Sequence, residues 1–218
     1  MNDALQHMRS ILERRGIDPD APVPADEPFD PAALRAEMYA DRLARKIPTG
    51  FTAAKVDNLQ VARWVERHKA DPLADPALLL SGNTGTGKTW QAYGVLRDLV
   101  MSAAWANRTY RWQFVTHPEL NSLMRPKPDG SHTWALEPFM DTDLLVLDDV
   151  GAGKQSEWTG DSLIRLVDHR WANCLATVYT TNLDPVGLEA TVGDRVLSRM
   201  ASACQVQLAG VDRRWGAA

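Results

Sequence analysis

The sequence is short of cysteine, of net positive charge and of long apolar runs, and each shortage removes a class of protein. Only Cys174 and Cys204 occur among 218 residues, with no C-x-x-C pair and no histidine at metal-ligand spacing. A disulfide scaffold or zinc module is thereby excluded, and both cysteines, in or beside apolar strand-like runs, read as buried reduced thiols. No stretch approaches the roughly 18 apolar residues of a membrane span, and Met1 to Arg15 read as a polar amphipathic helix, not a secretory leader. A cytoplasmic protein with no membrane partner is expected. Lys and Arg number 24 against 28 Asp and Glu, giving a net charge of −4 and a pI near 5.7. Any nucleic-acid contact therefore needs a local patch or an assembled oligomer. His7, His68, His117, His132 and His169 stand at no catalytic or ligand spacing and receive no role. What remains is an ordinary folded composition, 44% hydrophobic and 24% charged, in a chain long enough for one core and a small appendage.

Ala4, Leu5, Met8, Ile11 and Leu12 share one stripe of a 3.6-residue wheel, so the chain opens on a short helix with a face to bury. From Gly16 to Pro31, prolines 19, 22, 24, 28 and 31 lie among acidic residues, the composition of an extended linker. A second helix is expected from Pro31 to Lys46, ended by Pro48 and Gly50; its pairs Leu34/Met38 and Tyr39/Leu43 lie on different faces and can touch two bodies. Both helices either pack on the core or dock a partner. A third helix, capped by Asp57, carries Leu59, Val61, Trp64 and Val65. Five apolar strands then alternate with helices: Ala77–Leu80, Tyr110–Val115, Leu144–Leu147, Ala176–Thr180 and Cys204–Leu208. One of the intervening helices, Glu157 to about Ala172, is expected to bury Leu163, Ile164, Val167 and Trp171. That alternation predicts a parallel sheet with right-handed crossovers and a ligand at the carboxyl ends of the strands.

Between the first strand and its helix stands Gly82-Asn83-Thr84-Gly85-Thr86-Gly87-Lys88-Thr89, a match to G-x-x-x-x-G-K-[ST] in the strand, loop, helix context the motif requires. Its glycines let backbone N–H groups converge on phosphate; Lys88 reaches the β- and γ-phosphates, and Thr89 ligates Mg²⁺. The third strand delivers Asp148 and Asp149 to the same edge, where the first holds Mg²⁺ through water and the second polarises the attacking water; alone, such a pair could merely cap a turn. Asn182, one strand over, reads as a sensor of the γ-phosphate or a turn-former before Leu183-Asp184-Pro185. Arg195 and Arg199 share a helix face. They are either a solvated surface or the source of an arginine finger acting in a neighbouring subunit.

With these residues in place the chain resembles the DnaC-type helicase loaders of bacteria and their phages, a clade of AAA+ ATPases. The likeness runs from about Ile47 to Arg214. Its blocks are the P-loop, Leu147-Asp148-Asp149-Val150-Gly151-Ala152, Ser156-Glu157-Trp158, Thr180-Thr181-Asn182-Leu183, and Gly193-Asp194-Arg195-Val196-Leu197-Ser198-Arg199-Met200. The resemblance implies an α/β AAA+ P-loop NTPase with a five-stranded parallel sheet, helices on both faces and no helical lid, behind a small N-terminal helical segment. It implies three divisions: residues 1–46 for partner binding, including the linker 16–31; an ATPase domain over 47–214; and a tail, 215–218. Asn182 becomes sensor 1, and Arg199, with Arg195 beside it, the subunit-boundary arginine. ATP and Mg²⁺ are the implied cofactors. A hexameric replicative helicase, single-stranded DNA and further copies of the chain, joined through the ATP site, are the implied partners. The rivals are an IstB-type transposition helper, a small-molecule P-loop kinase, and a nucleotide-gated binding module without meaningful hydrolysis.

Overall fold

A computed structural model describes residues 2–16, 18–20, 30–124, 136–153, 157–210 and 212. Most of the acidic linker, the loop 125–130, Ser156, Arg213, Arg214 and the tail 215–218 lie outside the described residues. Five parallel strands form the sheet: β1 (Ala77–Ser81), β2 (Trp112–Thr116), β3 (Leu144–Asp148), β4 (Ala176–Thr181) and β5 (Cys204–Gln207), in the order β2-β3-β4-β1-β5. The apolar runs are continuous because both faces are covered. Leu78, Leu80, Val146 and Val178 point into one core and Leu79, Leu145, Leu147 and Tyr179 into the other, as the two-residue period of a strand requires.

The first core is closed by α2 (Pro31–Lys46), α3 (Leu59–Ala70) and α4 (Lys88–Trp105). The second is closed by α5 (His117–Met124), α6 (Glu137–Met140), α7 (Glu157–Ala172), α8 (Pro185–Val192) and α9 (Asp194–Ala201). Among the described residues no helix follows β5, and no helix is long and apolar enough to cross a membrane. Pro31 sets the first turn of α2 and Asp30 caps it by accepting from the Ala32 amide. Its two faces part as the pattern predicts. Tyr39 and Leu43 join the core over α4, whereas Leu34 and Met38 line a groove with Met8 of α1 (Asn2–Arg14). Arg14 of α1 and Arg15 just after it pair with Asp41 and Glu37 of α2, and Ile11 is buried.

Three expectations are corrected. The cap of α3 is Asn58, whose side chain accepts from the Gln60 and Val61 amides; Asp57 instead accepts a bond from Gln91. Trp171 is 52% exposed. The buried stripe of α7 passes through Leu163, Leu166, Val167 and then Arg170, whose guanidinium is satisfied by the carbonyls of Phe139, Met140, Thr142 and Ala176 and the hydroxyl of Thr177. A burial position that looks apolar in sequence is thus held by a cation saturated with hydrogen bonds. The cysteines are free but not buried, because Cys174 turns the chain after α7 at a φ of 49° and Cys204 starts a strand at the sheet's edge.

Candidate nucleotide site

Parallel strands put their carboxyl ends on one edge, and three neighbours there, β1, β4 and β3, supply the groups that meet. The P-loop leaves β1 with Gly82, Gly85 and Gly87 at φ of 141°, 82° and 93°, backbone that residues with side chains rarely adopt. Lys88 is buried and its Nζ donates to the carbonyls of Gly82 and Asn83, each at 2.8 Å, so the ammonium closes the loop on itself. Behind the loop runs the segment after β5: the Leu208 amide donates to the Ser81 carbonyl at 2.7 Å, and the Asp212 side chain lies against Gly85.

From β3, Asp148 meets the start of α4. The Thr89 hydroxyl lies 3.1 and 3.2 Å from its two carboxylate oxygens, and the Thr180 hydroxyl donates to Oδ1 at 2.7 Å. Burial, with the charge of Asp149 adding to it, pushes the Asp148 carboxyl above the usual range, while bonds from Thr180 and Thr89 and the charge of Lys88 pull it back. A hydroxyl beside a desolvated carboxylate is a donor set suited to a hard divalent cation, so Thr89 and Asp148 fit Mg²⁺. Asp149 follows in the left-handed region, at a φ of 58°. Its amide donates to the Thr180 hydroxyl at 2.9 Å, and the Asn182 amide donates to its carboxylate at 2.8 Å. Thr180 therefore addresses both aspartates, and Asn182 holds the second one facing the cavity.

That cavity, about 720 Å³, is lined by Thr84, Gly85, Gly87, Lys88, Thr89, Asp149 and Asn182 on one side and by Gly50, Phe51, Lys55, Asp57 and Trp90 on the other. The second wall is clamped to α4. Gln91 accepts from the Asp57 and Asn58 amides at 3.3 and 3.4 Å and donates to the Asp57 carboxylate. Gly94 lets the backbone at Lys55 and Val56 approach so closely that a Cβ there would collide with it. Phe51 stacks on Tyr93 at 4.7 Å between centroids, and Tyr93 on Phe114 of β2 at 4.1 Å. Burial pushes the Tyr93 hydroxyl up to about 12.

The structure thus brings Lys88, Thr89, Asp148, Asp149 and Asn182 together, with Gly82, Asn83, Thr84, Gly85, Thr86 and Gly87 forming the loop. Arg195 and Arg199 are not among the residues lining the cavity. Both pair with Asp168 of α7, Arg199 through Nε at 2.8 Å, and the Arg199 guanidinium lies 5.2 Å from the Trp171 ring. The residues that sequence reasoning passed over are Phe51, Lys55 and Trp90 in the wall, Gln91 behind it, and His117, which begins α5 and accepts from the Gly151 amide at 3.1 Å. A position directly after a strand on the ligand edge was the available signal for His117.

Comparison with known proteins agrees with this architecture. Residues 32–206 match the family described as IstB-like ATP binding protein. Over 190 residues the chain is 30% identical to the replicative helicase loader DnaI of Bacillus subtilis, covering 82% of this chain and 59% of that protein. It is 27% identical over 128 residues to the replicative helicase loader DnaC of Buchnera aphidicola, covering 57% and 50%. The chain therefore spans only about half the length of the curated relatives it matches. A crystal structure of DnaI superposes with a TM-score of 0.63 at 22% identity, covering 78% of this chain and 95% of that one, a likeness of fold.

Proposed function

Because the chain belongs to the family of IstB-like ATP-binding proteins, we propose that it is an ATP-hydrolysing helicase loader, which engages a hexameric replicative helicase and single-stranded DNA and uses ATP as its assembly switch. The observation that carries the enzymatic half is the meeting of Thr89, Asp148, Asp149 and Asn182 beside the P-loop. The helicase half is supported by relatives named as replicative helicase loaders, and the DNA by the resemblance of the motif blocks.

The steps follow from the chain's own groups. Phosphate oxygens compete with the Gly82 and Asn83 carbonyls for the Lys88 ammonium, so nucleotide binding trades two loop hydrogen bonds for charge-assisted ones. Thr89 and Asp148 would hold Mg²⁺, which would neutralise charge on the phosphates. Asp149 accepts the proton-side hydrogen bond of the attacking water, and Asn182 orients that carboxylate. Arg199, with Arg195 beside it, completes the site of a neighbouring copy, so turnover by an isolated subunit is slow. Residues 1–46, the linker 16–31 included, serve as the helicase-binding segment of a cytoplasmic assembly, and 47–214 as the ATPase domain, with 215–218 a tail. Pull-down with the host's replicative helicase tests this: nucleotide-dependent association that disappears on deleting residues 1–46 is expected. Association in neither nucleotide state, or undiminished association after the deletion, would overturn the docking role. The IstB likeness of the family favours one second reading, a transposition helper. Capture of a transposase in place of the helicase would select it.

A further inference from the structure

We propose that His117 is a positioning residue for ATP hydrolysis, its imidazole pinning the turn that aims Asp149 at the nucleotide. The inference rests on the hydrolytic reading above. Asp149 occupies the left-handed region, at a φ of 58°, which a non-glycine residue holds only where its surroundings over-determine it. One side of that over-determination comes from β4. The Asp149 amide donates to the Thr180 hydroxyl, the Val150 amide to the Thr180 carbonyl at 2.7 Å, and the Thr181 hydroxyl to the Val150 carbonyl at 2.8 Å. These bonds fix the turn against one neighbouring strand and leave the Gly151 side to be held from the other.

His117 does this from the β2 side, the opposite flank of β3. Its Nδ1 accepts from the Gly151 amide at 3.1 Å, the ring is completely buried, and Nε2 makes no hydrogen bond among the described residues. An acceptor at Nδ1 places the proton of the neutral ring on Nε2. Leaving a buried N–H unpaired is costly, and the same ring would lose its bond to Gly151 if it turned over to satisfy that proton. The geometry thus keeps the acceptor on the turn at the expense of the donor. The imidazole touches no reacting atom. It acts through the backbone of residues 149–151, so its removal should change the rate of the chemical step and leave nucleotide affinity alone.

His117→Leu removes the acceptor, while His117→Asn keeps one, because Oδ1 of asparagine falls near the position of Nδ1. The expected result, with the full chain at saturating helicase and DNA, is a kcat about tenfold lower for His117→Leu, the effect of losing one buried hydrogen bond. The KM for ATP and the affinity for a non-hydrolysable analogue should stay unchanged. His117→Asn should remain within about twofold of wild type by the same reasoning. Equal losses in the two variants, a loss carried in KM, or wild-type kcat in His117→Leu would each overturn the proposal. If His117→Leu does not fold, judged by its thermal transition, the ring nitrogen shifts of the wild-type protein decide: a proton on Nε2 is required, and a proton on Nδ1 refutes it. Asp149→Asn is the independent control. If it hydrolyses ATP at the wild-type rate, the hydrolytic reading fails, whatever the histidine variants do.

Discussion

Around the P-loop the charged groups of a single subunit face one another: Lys88 sits on loop carbonyls, Asp148 takes two hydroxyls, and Asp149 takes an amide. Along α9 the polarity is reversed and the neighbours are different. Arg195 and Arg199 stand outside the cavity, 59% and 27% exposed, leaning on one carboxylate, Asp168. The first region gathers a lysine, a hydroxyl and two carboxylates beside one cavity. The second has two cations on one helix that, among the described residues, pair with the same carboxylate. On the proposed reading, the acids beside the phosphate loop of one copy and the α9 arginines of another make up one catalytic unit. Within one chain Asp168 holds both arginines, and the Nε of Arg199 that faces it is buried.

The comparison breaks hardest at Arg199. Arg199→Ala should lower turnover of the assembled protein about a thousandfold while nucleotide affinity is kept, because an arginine finger acts on transition-state charge. Mixing Arg199→Ala with Asp149→Asn should restore activity, since each variant supplies the half the other lacks. No restoration at any mixing ratio would mean that both groups serve the same subunit. Lys88→Ala should do the reverse, weakening ATP binding roughly a hundredfold, as loss of charge-assisted hydrogen bonds requires; titration with a fluorescent analogue measures it. Asp168→Asn sharpens the contrast: by freeing both arginines it should raise turnover at low protein concentration a few fold, on the order of a surface ion pair. An unchanged concentration dependence would show that Asp168 does not restrain them.

The smallest effect is on pH. Burial pulls both His68 and His117 below the ordinary value of 6.5. A folded-state value below the unfolded one means that the unfolded chain takes up protons more readily, so stability is full above pH 6.5 and is lost as the pH falls through and below it. The melting temperature without nucleotide should therefore decline from pH 7 to 5, and His68→Gln should flatten that decline. A profile that rises on acidification would contradict the neutral, buried imidazoles.

Much of this was readable beforehand because it depends on local chemistry. The strands announce themselves as apolar runs, α2 begins at Pro31 and ends at Lys46 as its prolines dictate, and Asn182 lies one strand from Asp148. What escaped depends on contacts distant in sequence. The partner of Arg195 and Arg199 is a carboxylate on another helix, and the value of His117 comes from an amide in the turn after β3, 34 residues further along the chain. Arg170 shows the limit most plainly. Helical spacing alone cannot tell that a guanidinium takes the buried place in α7 and Trp171 the surface, because four carbonyls from two other segments make the exchange favourable. The 3₁₀ turn Thr49–Phe51 and the one-turn α6 were also missed, both too short to show a period.

The sheet order carries a consequence for synthesis of the chain. β1, which launches the phosphate loop, pairs with β4 and β5, Ala77 lying beside Thr177 and Leu78 beside Cys204. A chain emerging from the ribosome therefore carries the whole P-loop motif long before it has a strand on either side to hold it. The nearest-neighbour pairing of β2 with β3 can form first, and the nucleotide cradle must wait for the last quarter of the sequence. Any ligand that binds the finished loop and not the unpaired one stabilises the closed sheet by mass action.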